Sequence, residues 1–158
     1  MCIRDRASSI VLGFSVTPEL FNATQAQAQE SIEPHYNYDG YTAYQSGFIL
    51  DKNFKESLKS DNFTINGYQI SKNPNGDNRI NLYDQTLYGV SENKANGVFF
   101  SLDGKSINKN TLIQNYGQPN SYSPTSAWGE VYMYKIGNKD VQFYIHNGYV
   151  NKVQIMSE

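Results

Sequence analysis

Two alternating apolar runs near the C-terminus limit the fold more than any other feature. Tyr132, Tyr134 and Ile136 recur at every second position, as do Val141, Phe143 and Ile145. A period of two puts each set on one side of a pleated strand, so both runs predict half-buried β-strands. A tight turn around Asn138 and Lys139 pairs Ile136 with Val141 and brings the two sets onto one face. Val153 and Ile155 supply a third strand after Asn147-Gly148. A bare two-residue turn there would set Val153 opposite Gln142 and break the apolar face. A three-residue loop, Asn147-Gly148-Tyr149, restores Val153 opposite Phe143 and Ile155 opposite Val141, with Gly148 absorbing the extra residue at positive φ. The other face carries Met133, Lys135, Gln142, Tyr144, His146, Lys152 and Gln154. It reads either as the wet side of an antiparallel sheet or as a binding surface.

A short helix precedes these strands. Asn108 caps it, Ile107 and Leu112 stand at the staple positions, and Leu112, Ile113 and Tyr116 share a side. Gly117 supplies a left-handed stop, and Pro119 forbids resumption.

The first half repeats this order. A helix is expected from Leu50 to Asp61, capped by Asp51, with Phe54 and Leu58 as its buried stripe. Lys52, Lys55 and Lys59 fall on the opposite side at 100° per residue and form a basic ridge beside Glu56. Three strand candidates follow: Phe63 to Ile70, interrupted by Asn66-Gly67, then Ile80 to Val90 and Gly97 to Leu102. Lys72 and Arg79 flank the turn-rich stretch between the first two. The fold class expected is α+β: two helix-plus-three-strand repeats forming one antiparallel sheet, with two short helices on one face. Helix, Gly-x-Pro break and meander resemble the repeats of β-lactamase inhibitor proteins and of small outer-membrane assembly lipoproteins, which implies protein binding through an open sheet face.

Residues 1–28 read as an export signal, with the apolar run Ala7 to Val16 and a small-x-small cleavage site at Ala26-Gln27-Ala28. Residues 1–6 are an odd, lysine-poor opening, read as an assembly artefact. Residues 29–47 form a Tyr-rich extended arm containing Tyr36, Tyr38, Tyr41 and Tyr44, and residues 48–158 one α+β domain. No run is apolar enough to predict a membrane span. Cys2, the sole cysteine, lies in the leader, so the exported part has no disulfide and no thiolate chemistry. Setting aside Arg4 and Arg6 with Asp5 and Glu19 leaves 11 basic and 13 acidic residues. Nucleic-acid binding by such a chain requires local clustering of cations, because phosphate neutralisation supplies much of the affinity.

Catalytic motifs are missing from the sequence. His35 and His146 are the only histidines and have no zinc-site spacing; no phosphate loop, dinucleotide fingerprint or nucleophile elbow occurs. Asp77, Asp84 and Asp103 sit beside turn residues, where Asp caps and bends the chain. A non-enzymatic protein without cofactor is the expectation.

The segment Tyr36-Asn37-Tyr38-Asp39-Gly40-Tyr41, then Phe48-Ile49-Leu50-Asp51-Lys52-Asn53-Phe54, Asn66-Gly67, Tyr83-Asp84-Gln85-Thr86 and Gly89-Val90-Ser91 together resemble the immunodominant staphylococcal antigen B family. The likeness covers most of the chain after the leader. It implies a small secreted or surface-associated bacterial protein, non-enzymatic, with members that bind extracellular DNA and RNA without marked sequence preference. Members are generally basic, and this chain departs from them in being mildly acidic. The first functional expectation is therefore a secreted nucleic-acid-binding accessory or virulence-type protein. In it Lys52, Lys55, Lys59, Lys72 and Arg79 meet phosphates and exposed tyrosines, Tyr144 among them, stack on bases. The second is a module binding a host or envelope protein through Met133, Lys135, Tyr144 and Lys152.

Overall fold

The computed structural model describes residues 33–158. The export signal read at residues 1–28 lies outside the described residues. In chain order, strand β1 (Tyr36–Tyr38) leads through two 3-10 turns (Thr42–Tyr44 and Ser46–Leu50) to helix α1 (Lys52–Lys59). Strands β2 (Phe63–Ile65), β3 (Tyr68–Ile70), β4 (Asn78–Leu82), β5 (Gln85–Val90), β6 (Lys94–Ala95) and β7 (Gly97–Ser101) follow. Helix α2 (Lys109–Tyr116) then precedes β8 (Ser121–Ser123), β9 (Glu130–Ile136), β10 (Lys139–His146) and β11 (Tyr149–Ser157). The fold is α+β.

The expected single sheet is instead two. Seven strands pair in the order β4-β5-β7-β11-β10-β9-β8, antiparallel throughout, and four more form a smaller sheet, β1-β2-β3-β6. In the smaller sheet β1 runs parallel to β2, and β3 parallel to β6. The stretch Phe63 to Ile70 folds back at Asn66 and Gly67, both at positive φ, and so makes a short hairpin instead of one strand of the main sheet. That hairpin has its own apolar load, because Phe63, Ile65 and Ile70 are fully buried. A second layer buries it. Phe54 meets Phe63 edge-on at 5.0 Å between ring centres, Phe48 meets Phe54 at 5.2 Å, and Phe48 reaches Phe100 of the large sheet at 5.7 Å. The segment read as an arm supplies β1, the first 3-10 turn and the start of the second, with Tyr38 buried against Phe48.

The C-terminal meander keeps the predicted faces but shifts its turns. Gly137-Asn138 makes the first turn, pairing Ile136 with Lys139 and Tyr134 with Val141. The displacement from the expected Ile136–Val141 pairing is two residues, so the apolar sets still share a face. Its consequence is chemical: Lys139 lands on the buried side. Its side chain is fully buried, paired with Asp61 and donating to Asn138 Oδ1 at 2.7 Å. Asp61 in turn accepts from the Ser71 hydroxyl at 2.7 Å, so this ion pair ties the β9–β10 hairpin to the smaller sheet. In the second hairpin Val153 lies opposite Phe143 and Ile155 opposite Val141, as the pattern requires. The extra residue is not in the turn, however. Asn147-Gly148 is a two-residue turn with both φ positive, and the surplus residue is Asn151, a bulge on β11 opposite the Tyr144–Ile145 step. A two-residue turn of that kind suits the strand twist, so the irregularity moves into the strand.

Both helices contribute to one core with the inner face of the large sheet. Phe54 and Leu58 from α1 and Leu112 from α2 are fully buried with Phe100, Phe143, Val153 and Ile155. The local signals act as expected: the Asp51 side chain accepts from the Asn53 amide, that of Asn108 accepts from Thr111, and Gly117 closes α2 at φ 83°.

Candidate nucleic-acid interface

The ridge on α1 is built by two facts of spacing. Phe54 and Leu58 pull one side of the helix into the core, so Lys52, Lys55 and Lys59 face outward. The structure adds an opposing wall. Lys52, Lys55, Glu56 and Lys59 line a cleft of about 410 Å³ closed by Asn115 and Tyr116 from the end of α2 and by Ile136 from the end of β9. Three cations and one carboxylate share this space. Next to Ile136, Gly137 lets the hairpin approach α1 closely, since a Cβ there would stand 3.0 Å from Lys59 Cα.

The three lysines are not equivalent. Lys55 Nζ donates to the Asn115 carbonyl at 3.1 Å and to its side chain, and lies 5.2 Å from the centre of the Tyr116 ring. A cation at the last turn of α2 is favoured by the exposed carbonyls there. Lys55 thus holds the two helices together as well as lending its charge. Lys59 Nζ stands 3.6 Å from Glu56 Oε2, with both groups in solvent, a pairing that costs little to break. Lys52 makes no ion pair among the described residues and is exposed. Tyr116 is a fixed, partly buried wall of the cleft. Its hydroxyl donates to the Ile49 carbonyl, its ring packs on Phe143 and Tyr134, and burial drives its pKa far above the ordinary phenol range.

The other sequence-chosen residues lie elsewhere. Arg79 is on β4, five strands away from β9 in the sheet order, a separation of roughly 24 Å. Its guanidinium sits 5.4 Å from the Tyr88 ring on the outer face. Lys72 is exposed in the stretch after β3 and lines no part of the cleft. The five cations therefore do not converge.

Tyr144 is not the open stacking ring that its outward position predicts. It is 7% exposed, with Trp128 and Phe99 packed edge-on against it at 5.6 and 5.9 Å, and its hydroxyl donates to Gln142 Oε1 at 2.7 Å. The aromatic group that faces solvent here is Trp128, 43% exposed. Sequence reasoning passed over it because it belongs to no periodic run; its only signal was a lone tryptophan among small residues, Pro124 to Gly129. Ser126 shapes that loop, accepting from the Trp128 amide at 3.1 Å and donating to the Gly129 carbonyl at 2.7 Å. Lys152 lies beside it, 3.0 Å from Ser101 Oγ and 5.8 Å from the Phe99 ring centre. Met133 and Lys135 line a separate hollow of about 270 Å³ with Asn120, Asp140 and Gln142, where Lys135 is paired with Asp140 and Glu158.

Among the described residues no three His, Cys, Asp or Glu side chains gather as metal ligands, and no helix is long and apolar enough to cross a membrane.

Comparison with known proteins supplies the rest. A solved structure of a DUF4309 family protein from Bacillus subtilis is similar over 52% of this chain and 67% of its own, at a TM-score of 0.41 and 16% identity. That likeness is too weak to carry an argument. Relatives named immunodominant staphylococcal antigen B, from Staphylococcus aureus strains USA300, NCTC 8325 and N315, are each 46% identical over 68 residues, which is 43% of this chain. The match spans 38% of the length of those relatives. They are named as antigens, not as enzymes. The family model described as immunodominant staphylococcal antigen B matches residues 35–155. With that match running from before β1 to near the end of β11, the chain belongs to the immunodominant staphylococcal antigen B family.

Proposed function

We propose that this is an extracellular, non-enzymatic accessory or virulence-type protein that binds DNA or RNA without strong sequence preference in the cleft between α1 and the end of α2. The observation that carries the reading is the gathering of Lys52, Lys55 and Lys59 against Asn115 and Tyr116 in one concavity. Lys52 and Lys59 meet phosphates directly, while Lys55 adds charge from a fixed position. Segregated cations suffice, since attraction to a polyanion follows local potential and not net charge. The naming of the relatives as antigens supports a location outside the cell or at its surface.

Salt dependence tests this. A fourfold rise in salt lowers affinity for duplex DNA about 40-fold if all three lysines release counterions, and about 12-fold if only two do. A mobility-shift titration at the two salt concentrations separates these cases, and Lys52→Glu with Lys59→Glu abolishes retardation. Absence of any retarded nucleic acid at micromolar protein and low salt overturns the proposal. Lys72 and Arg79 lie outside the cleft, so their replacement leaves the salt slope unchanged.

A second reading rests on the outer face of the large sheet, where exposed Trp128 lies over Tyr144 and Phe99 beside Lys152. An aromatic anchor with a flanking cation suits a protein partner. The two meanders that meet at β7 and β11 fit, on this reading, a duplicated helix-plus-three-strand plan of the inhibitor type. Recovery of a host or envelope protein that Trp128→Ala abolishes, with little sensitivity to salt, favours this reading over the first.

A further inference from the structure

At the β4–β5 turn three tyrosines stand together in solvent. Tyr41, Tyr44 and Tyr83 are 44%, 80% and 54% exposed, yet Tyr41 lies 5.1 Å from Tyr44 and 5.0 Å from Tyr83 between ring centres. Burial does not hold them, because each ring stays wet. Asp84 does. Its Oδ1 accepts from the Thr42 amide at 3.0 Å and from Gln85 Nε2 at 2.7 Å, and its Oδ2 accepts from the Ala43 amide at 3.0 Å. The 3-10 turn bearing Tyr44 is thereby pinned to the hairpin bearing Tyr83. From below, the Thr42 hydroxyl donates to the Ser101 carbonyl at 2.7 Å, and the buried Tyr38 hydroxyl donates to the Tyr41 carbonyl at 2.7 Å.

Tyr83 adopts φ 57° at the first position of its two-residue turn. Hairpins ordinarily give that conformation to Gly, Asn or Asp, and a bulky side chain is penalised there. The strained position thus carries a ring that stays 54% exposed.

Charge narrows what such a surface holds. The ionisable groups beside the triad in the chain, Asp39 and Asp84, are carboxylates. The three cation–ring contacts among the described residues fall on Tyr116, Tyr88 and Phe99, and none on these rings. None of the three rings carries a cation, and Lys152, the cation that reaches the neighbouring Ser101, lies over the Phe99 ring instead. Electron-rich ring faces instead match weakly positive C–H groups, while the phenol hydroxyls and the exposed side chains of Asp39 and Gln45 offer donors and acceptors along the rim. Flat C–H faces edged with hydroxyls are the surface of a pyranose sugar. We propose that Tyr41, Tyr44 and Tyr83, with Tyr44 tilted 36° and Tyr83 83° from the Tyr41 ring, form an aromatic corner that binds a neutral oligosaccharide chain, separate from the lysine cleft.

Titration calorimetry of the full chain with cellohexaose and with chitohexaose tests this. Binding of at least one is expected in the millimolar range or tighter, and Tyr44→Ala weakens it about three- to tenfold, the worth of one stacked ring. Tyr83→Gly weakens binding similarly while leaving the melting temperature equal or higher, which separates loss of the ring from loss of the fold. Retardation of nucleic acid is unchanged in Tyr44→Ala. Failure of both saccharides to bind at millimolar concentration, or binding that Tyr44→Ala leaves intact, overturns the proposal. So does loss of nucleic-acid retardation in Tyr44→Ala, which assigns the triad to that ligand instead.

Discussion

Replacing Asp61 by Asn removes one charge and little else. Asn is among the few residues that accept the left-handed backbone, and residue 61 has φ 64°. Its side-chain oxygen still accepts from the Ser71 hydroxyl that Asp61 now binds. What disappears is the counter-charge for Lys139, whose side chain is wholly buried and keeps only Asn138 Oδ1 at 2.7 Å as a close partner. Breaking a fully buried pair costs about 3–5 kcal/mol. The Asp61 side chain is 39% exposed, and the substituted amide still accepts one hydrogen bond, so the loss here is about 2 kcal/mol. For a folded unit of this size that lowers the melting temperature by roughly 6–10 °C. Lys139→Met fills the same space without charge and stays within about 1 kcal/mol of the parent. The double variant therefore recovers most of what Asp61→Asn loses. Calorimetric or circular-dichroism melts of all four proteins complete the cycle. If Asp61→Asn melts with the parent, or the double variant is no more stable than the single one, the buried ammonium does not need its partner and the reasoning fails. The cleft is built on the same hairpin, which carries Ile136 in the cleft wall and Gly137 against the Lys59 backbone as well as Lys139.

Gly137→Ala places a Cβ at φ 60° and 3.0 Å from Lys59 Cα, so it destabilises by about 1–2 kcal/mol from the backbone conformation alone. Thermal melts check this, and an unchanged melting temperature contradicts the left-handed conformation of residue 137 together with the close approach to α1. Burial, then Tyr132, pushes the Tyr134 phenol up to about 12 from its ordinary 10.0, and burial holds that of Tyr116 higher still. An acid raised in the folded state stays protonated there after the unfolded chain has ionised. The stability it confers is full below pH 10 and is lost as pH rises through about 12. Spectrophotometric phenolate titration should show these two rings ionising only with unfolding; ordinary titration of every tyrosine in a folded chain contradicts it.

Local periodicity settled the faces of the individual elements. A spacing of two set Tyr132, Tyr134, Val141, Phe143, Val153 and Ile155 inward, and 100° per residue set Lys52, Lys55 and Lys59 outward from Phe54 and Leu58. Caps and breakers such as Asn108 and Gly117 marked where α2 starts and stops. Those properties depend on neighbours within a turn or a strand, so the chain alone determines them. Which faces then meet does not follow from periodicity. The hairpin Phe63 to Ile70 left the main sheet because its apolar residues found a second layer in Phe48 and Phe54. Lys139 went inside because a turn of two residues at Gly137 shifted the register by two and Asp61 stood ready to pair with it. Tyr144 was covered because a loop without pattern brought Trp128 over it. The lysine ridge became one wall of a cleft only when α2 delivered Asn115, and Arg79 was kept away by strand order. Side-chain direction is a short-range property of the backbone, whereas a site needs groups remote in sequence to share a volume, and only the packing of the whole core decides that.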